Sequence, residues 1–381
     1  MKALLRTIIL LAAILAATVT AGCRGTGEPV GTPAPTSAPT VTETPTEPPF
    51  ETYAPETTTE PDDGEDEVVF LVPQFENAIR NKLKIYAGTP VRVKDLRSIK
   101  SIDLSSLGLT DIRDIGKLEN LETLYLSSNK LSDIGPLAEL TKLKKLDLRS
   151  TGITDISALS GLTELTELVI AYNSIADLAP LSGLTKLEKL DIEDYNYPEH
   201  TPGTDDLSPL APLTELKLLK ARAKDTAPLA NMTKMKNLVL AGSFTDLEGL
   251  KSMTDLRELR LIGEGQPIDL SGIAGLTSLR TLSMQIFGTG DIAPLSGLTR
   301  LTRLDMSSMP ITDLTPLAGL TSLTDLFIYW TNITDLSPLY GLINLTQVSL
   351  SYNNLPPSEV GKLREALPNS YIFHEEYDGE H

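Results

Sequence analysis

The sequence predicts an α/β solenoid, a stack of short coils that each contribute one strand. Three observations carry this. A leucine-type residue returns at Leu96, Leu118, Leu140, Leu162, Leu184, Leu213, Met232, Met253, Leu276, Leu298, Leu320 and Leu342, and seven of these eleven intervals are 22 residues. Such a period marks a solenoid, because one unit cannot bury its own apolar face and neighbours must cover it. Within each unit the apolar residues run L-x-x-L-x-x-L-x-L, as in Leu118, Leu121, Leu124 and Leu126. The closing alternation reads as a short strand with one buried face. Leu131, Ile134 and Leu137 then follow at helical spacing, so the return path is a short helical turn. The four other intervals, of 29, 19, 21 and 23 residues, fall together in the middle.

Residues 1–22 are a different kind of segment. Lys2 and Arg6 precede an apolar run from Ile8 to Ala17 and then small residues, which is the pattern of a secretory leader. Thr20-Ala21-Gly22-Cys23 resembles a bacterial lipobox, where the leader is cut before the cysteine and the cysteine is lipidated. The lipobox usually has Leu where Thr20 stands, and an ordinary signal peptide is the alternative. Cys23 is the one cysteine of the chain, so an internal disulfide is excluded. A diacylated cysteine supplies the two chains that stable anchoring needs. Apart from the leader, no apolar stretch is long enough to cross a bilayer. The expected location is therefore the extracellular face of a bacterial membrane, with contact to the membrane through the N-terminal lipid only.

Residues 23–67 then form a stalk. Positions 24–67 hold eleven Thr, nine Pro and eleven acidic residues against one basic residue, Arg24. This composition cannot build a core and reads as a disordered, semi-extended spacer. In polyproline II form it would reach about 140 Å at 3.1 Å per residue. Residues 68–95 read as a cap: Phe75, Ala78, Ile79 and Leu83 have helical spacing and would cover the apolar end of the first coil. The repeats run over 96–355. Residues 356–381 close the array with a helix from Pro357 to Leu367, a final strand Tyr371-Ile372-Phe373 and a frayed tail.

Charge narrows the partners. The 381-residue chain carries a formal charge of −18. Nucleic acid needs a basic footprint, so it is a poor partner. The three histidines, His200, His374 and His381, have no Ser, Cys or Asp at a catalytic spacing, and no phosphate loop or Cys/His zinc pattern occurs. No enzyme, cofactor or metal is expected.

The units LTELTELVIAYNSIADLAPLSG (162–183) and LTSLTDLFIYWTNITDLSPLYG (320–341) resemble bacterial leucine-rich repeats of the internalin type, over about residues 70–374. The resemblance implies a right-handed superhelix with a concave parallel sheet and convex 3₁₀ or short helical turns. It also implies a monomer that binds a protein partner through the concave face. Asn129, Asn173 and Asn353 stand where this type of repeat has an Asn after the strand; Thr151, Lys224, Ser243, Phe287 and Met309 stand there elsewhere. Turns without the Asn need other partners for their backbone groups.

One aspartate recurs in each unit: Asp111, Asp133, Asp155, Asp177, Asp206, Asp225, Asp246, Asp269, Asp291, Asp313 and Asp335. Stacked carboxylates repel unless each accepts backbone N–H bonds at the start of a turn. Capping is the expected role, since no second acidic file supplies the further oxygens that calcium needs.

Alternation points every second strand residue outward. The resulting candidate contact residues are Tyr125; Asp147 and Arg149; Asp191 and Glu193 as an acidic patch; Lys220 and Arg222, with Arg260 beyond, as a basic one; and Phe327, Tyr329 and Trp330 as an aromatic one. Exposed aromatics and arginines are the usual anchors of interfaces. The 29-residue unit adds an insertion that carries Tyr195, Tyr197 and His200, a candidate binding loop. The function expected is adhesion or recognition of a protein. The alternative is an envelope scaffold, or a surface protein whose aromatic patch stacks on glycans.

Overall fold

The computed structural model describes residues 66–193 and 205–375. Cys23, the leader, the stalk to residue 65, the insertion residues Tyr195, Tyr197 and His200, and the tail from residue 376 lie outside the described residues. Among the described residues, thirteen parallel strands form one open sheet in sequence order. They are β1 (Ser101–Asp103), β2 (Thr123–Tyr125), β3 (Lys145–Asp147), β4 (Glu167–Val169), β5 (Lys189–Asp191), β6 (Leu218–Ala223), β7 (Asn237–Gly242), β8 (Glu258–Gly263), β9 (Thr281–Gln285), β10 (Arg303–Ser307), β11 (Asp325–Phe327), β12 (Gln347–Ser349) and β13 (Tyr371–Phe373). Each strand hands over to the next through a 3₁₀ turn or, after β12, an α-helix. A 3₁₀ turn needs fewer residues than a crossover α-helix, which is why parallel strands recur so quickly here.

The core is a set of stacked leucine rows. Leu118, Leu121, Leu124, Leu126 and Leu137 of one coil are all fully buried, as are their counterparts through Leu342, Leu345 and Leu350. Both ends are covered. Helix α1 (Pro73–Leu83) buries Phe75 and Ile79, and α2 (Val93–Arg97) buries Leu96. At the other end α3 (Pro357–Ala366) buries Val360 and Leu363. Asp114 pins the first cap: its fully buried carboxylate accepts the N–H groups of Leu71 and Val72, both at 2.8 Å, and the Lys117 ammonium at 2.8 Å. Burial alone would push this carboxyl up; the Lys117 ammonium and the two N–H donors outweigh it and hold it below the usual carboxylate range.

The aspartate file is a row of caps. All eleven carboxylates accept the backbone N–H two residues on, for example Asp155 from Ser157 and Asp313 from Thr315, each at 2.8 Å. This is an Asx turn, and it fixes the entry to each 3₁₀ segment. Backbone and hydroxyl bonds from the residue two places on hold Asp155, Asp269, Asp313 and Asp335 below the ordinary range, and the Ser208 hydroxyl and N–H with Lys224 bring Asp206 down to about 2. Among the described residues no group of three or more His, Cys, Asp or Glu side chains is placed to hold a metal ion.

The turns without an Asn solve their backbone problem in two ways. Beside an Asn-bearing coil, the Asn serves two turns. The Asn173 amide donates to the Leu148 and Ile170 carbonyls, at 2.8 and 2.9 Å, and its oxygen accepts the N–H groups of Thr151 and Gly152. Asn353 does the same for Thr331, and Asn129 spans Leu104, Leu109 and its own coil. From the irregular middle onward the strands instead lengthen, to six residues in β6, β7 and β8 and five in β9 and β10. Backbone groups that an Asn satisfies elsewhere are satisfied there by the ladder, as in Ala223↔Gly242↔Gly263.

The same division governs backbone conformation. Ser106, Ser128, Ser150, Tyr172, Ser308, Trp330 and Tyr352, each four places past the central strand residue, have φ between 53° and 60°. The left-handed bend turns the chain out of the sheet at a cost of about 1–2 kcal/mol for a non-glycine residue. Among the described residues, the units of β6 to β9 have no such bend at a non-glycine residue. Their crossings are instead tight at Gly249 and Gly272, where an added Cβ would lie 1.8 Å from the Thr226 carbonyl oxygen and 2.0 Å from that of Leu247.

Candidate functional site

Parallel pairing places one outward residue of each strand in a single transverse row. In order they are Asp103, Tyr125, Asp147, Val169, Asp191, Lys220, Val239, Arg260, Ser283, Asp305, Phe327, Ser349 and Phe373. The row crosses the whole sheet and contains six of the residues selected from sequence alternation, Tyr125, Asp147, Asp191, Lys220, Arg260 and Phe327, with Tyr125 and Arg260 exposed.

The acidic and basic patches turn out to be one belt of paired charges. The Lys220 ammonium lies 3.1 Å from the Asp191 carboxylate, and the Arg149 guanidinium reaches the same oxygen at 3.7 Å across the small side of β4. Val169 and Ala171 stand between them and leave the path open. Arg222 is more enclosed still, with its side chain 6% exposed. It donates to Asp205 at 3.0 Å and to Glu264 on the far side of β7. Burial would lower its pKa; Glu264 and Asp205 outweigh that and raise it. Asp191 and Glu193 are buried as well. The sequence expectation of open acidic and basic patches at Asp191, Glu193 and Arg222 is therefore replaced by buried groups, with Asp191 and Arg222 compensated by ion pairs. Strand spacing near 4.8 Å brings neighbouring coils close enough for long side chains to pair across them. On the outward face Arg149 and Arg260 are exposed, and Lys220 and Asp147 are half-buried.

The outer parts of the sheet follow the same rule. Glu167 accepts from Lys145 at 3.0 Å and Lys189 at 2.9 Å, and Glu188 pairs with Lys217 at 2.7 Å. Burial would push the Glu167 carboxyl up, but the two ammonium groups hold it below its ordinary value.

The aromatic residues separate into two groups. Trp330 and Tyr352 occupy successive left-handed bends and stack on each other, ring centroids 4.5 Å apart at 17°. Phe327 and Tyr329 point to the sheet side, 6.2 Å apart, and the Arg303 guanidinium sits 4.5 Å over the Phe327 ring. Trp330 thus packs at the sheet margin rather than beside Phe327 and Tyr329. The latter two instead form one wall of a groove of about 200 Å³, lined also by Gln347, Val348, Ser349, Tyr371 and Phe373. Sequence reasoning places Tyr371 and Phe373 in the final strand but misses them as the opposite wall. Their alternation with Ile372, in register with Gln347 and Ser349, is the signal that finds them.

Among the described residues no helix is long and apolar enough to cross a membrane.

Comparison with known proteins gives the same architecture. The family model described as leucine-rich repeats (2 copies) matches residues 97–139 and 119–161. An internalin (inlF) from Listeria monocytogenes is similar in structure, with a TM-score of 0.73 and 29% identity over 85% of this chain and 95% of the internalin. A leucine-rich repeat protein from Leptospira interrogans shares the fold at a TM-score of 0.50 and 19% identity, covering 78% of this chain and 97% of its own. No curated protein matches in sequence. The fold is a leucine-rich-repeat solenoid with structural similarity to Listeria internalins.

Proposed function

From leucine-rich repeats on an internalin-like solenoid, we propose a recognition protein of the bacterial cell surface, which binds a protein partner through the outward face of its sheet. The leader and the lipobox-like Cys23 support lipid anchoring on the extracellular side, and the Thr/Pro-rich stalk would hold the domain away from the membrane. Both array ends are capped, which supports a monomer.

The single observation that carries the reading is the preformed outward row from Asp103 to Phe373. Asp191 and Lys220 at its centre are held in place by cross-strand pairs, so little side-chain entropy remains to be lost there on binding. Leucine-rich repeats commonly mediate protein recognition, and no reaction is proposed.

The test uses the full chain on live cells with a photocrosslinking residue placed at Tyr125, Arg149 or Arg260, or on the opposite face at Ser160. A discrete protein adduct from the sheet positions and none from Ser160 supports the reading. Equal adducts from both faces, or none from either, overturn it. Anchoring has its own test: palmitate labelling that survives Cys23→Ser removes the lipid from the proposal.

A further inference from the structure

We propose that the groove between β11 and β13 is a binding site for a neutral pyranose ring of a surface glycan. This goes beyond protein recognition and does not rest on it.

The geometry begins with one small residue in the register Phe327↔Ser349↔Phe373. Serine between two phenylalanines on adjacent strands opens a slot floored by Val348 and Ser349. Phe327 and Tyr329 wall one side, and Tyr371 and Phe373 wall the other. Walls two strands apart are separated by about 9–10 Å, from a strand spacing of 4.7–4.9 Å. Stacked rings prefer centroid separations of 4.5–7 Å, so the slot holds one flat ring with an aromatic on each face. Arg303 already covers Phe327 from β10, which fixes that wall.

The second observation is a polar atom without a partner. Ser349 is only 6% exposed and its hydroxyl is buried with no hydrogen bond. Such a group costs free energy unless something comes to meet it. It lies beneath the flanking rings, so the hydroxyl edge of a ligand reaches it with a side-chain rotation of Tyr371 or Phe373 while the strand that carries them stays in place. Those two side chains are the exposed ones of the slot's walls, Tyr371 at 68% and Phe373 at 39%. Gln347 stands exposed at one end of the floor with both an amide donor and an acceptor.

The occupant must therefore have two apolar faces, a hydroxyl-bearing edge and no charge, since no carboxylate, ammonium or guanidinium lines the groove. A pyranose has C–H faces and a rim of hydroxyls and meets all three requirements. A peptide carries two polar backbone groups per residue. Only Ser349, Gln347 and the two tyrosine hydroxyls could answer them.

The experiment is a glycan array of neutral and acidic oligosaccharides probed with the full chain, followed by titration calorimetry with the bound neutral sugar. Tyr371→Ala and Ser349→Phe are each expected to weaken binding by about tenfold or more, the scale of losing a well-packed contact. Ser349→Ala separates ligation from structure: the melting temperature holds or rises because an unpaired hydroxyl is removed, while sugar affinity falls. Ser160→Ala, on the opposite face and distant from the slot, leaves sugar binding unchanged. Loss of melting temperature in Ser349→Ala, an array on which no neutral sugar binds, or binding indifferent to Tyr371→Ala overturns the proposal. So does a peptide array that yields a slot-dependent ligand where the sugars yield none. The crosslinks from Tyr125, Arg149 and Arg260 are independent of all these outcomes.

Discussion

The side-chain oxygen of Asn173 accepts the backbone N–H of Thr151 at 3.0 Å, one coil back in the array. The same amide also donates to carbonyls of both coils, so one side chain closes two turns. Asn173→Ala orphans several buried backbone groups at once. It is expected to cost about 2–4 kcal/mol, since each unsatisfied buried group costs about 1–3 kcal/mol. Thr151→Ala removes one hydroxyl bond and should cost nearer 1 kcal/mol, a typical net hydrogen bond. Urea denaturation of the two variants checks the ratio.

Asp114 fastens the N-terminal cap through three charge-assisted bonds. Asp114→Asn weakens all three and removes the ion pair, with an expected loss of about 2–3 kcal/mol. The cap around Phe75 should open before the rest of the array, which hydrogen exchange at Ile79 against Leu323 would detect. Uniform exchange across the array would rule out local fastening.

The aspartate caps make the solenoid acid-sensitive. Asp155, Asp206, Asp269, Asp313 and Asp335 have folded pKa values below their unfolded ones. Their contribution is therefore present above the ordinary carboxylate value of 3.8 and is lost as pH falls through the folded values, near 2 for Asp206. Melting temperature should fall steadily from pH 4 to pH 2. Asp313→Asn keeps the Asx turn and should flatten that slope slightly, whereas Asp313→Ala should lower the melting temperature at every pH.

Gly249 is a position where a methyl group has nowhere to go. Its added Cβ would meet the Thr226 carbonyl oxygen at 1.8 Å, while at Gly161 nothing lies within 4 Å. Gly249→Ala should destabilise by about 3 kcal/mol or more, at the upper end of overpacking costs. Gly161→Ala should be neutral or stabilise by up to about 1 kcal/mol. Thermal melts of the pair test whether the short middle coils are truly in backbone contact.

The period of the leucines makes the sheet legible before any coordinates, because alternation assigns each strand residue a face. Tyr125, Lys220 and Phe327 fall in one row for that reason. What the period cannot carry is where long side chains end. Arg222 is joined to Glu264, which is 42 residues away, by rotamer choice across an intervening strand, and no local pattern encodes it. The aromatic slot is a middle case. Phe327 and Tyr329 stand out in the sequence, but the slot exists only because Ser349 separates them from Tyr371 and Phe373. That relation appears once the final strand is set in register. Likewise the missing asparagines at Lys224 and Ser243 are visible in sequence, whereas their remedy, longer strands, is a cooperative property of three neighbours.

The sharing of Asn173 between two turns gives the coils unequal rank. A coil that bears Thr151 borrows its closure, so an array that lost it would bring Asn129 and Asn173 side by side with every turn still served. A coil that bears Asn173 is a lender, and its loss would strand the neighbour as well. Shortening or lengthening of this array by gene rearrangement should therefore be tolerated at the borrowers and selected against at the lenders, so that asparagine positions mark where the array resists editing.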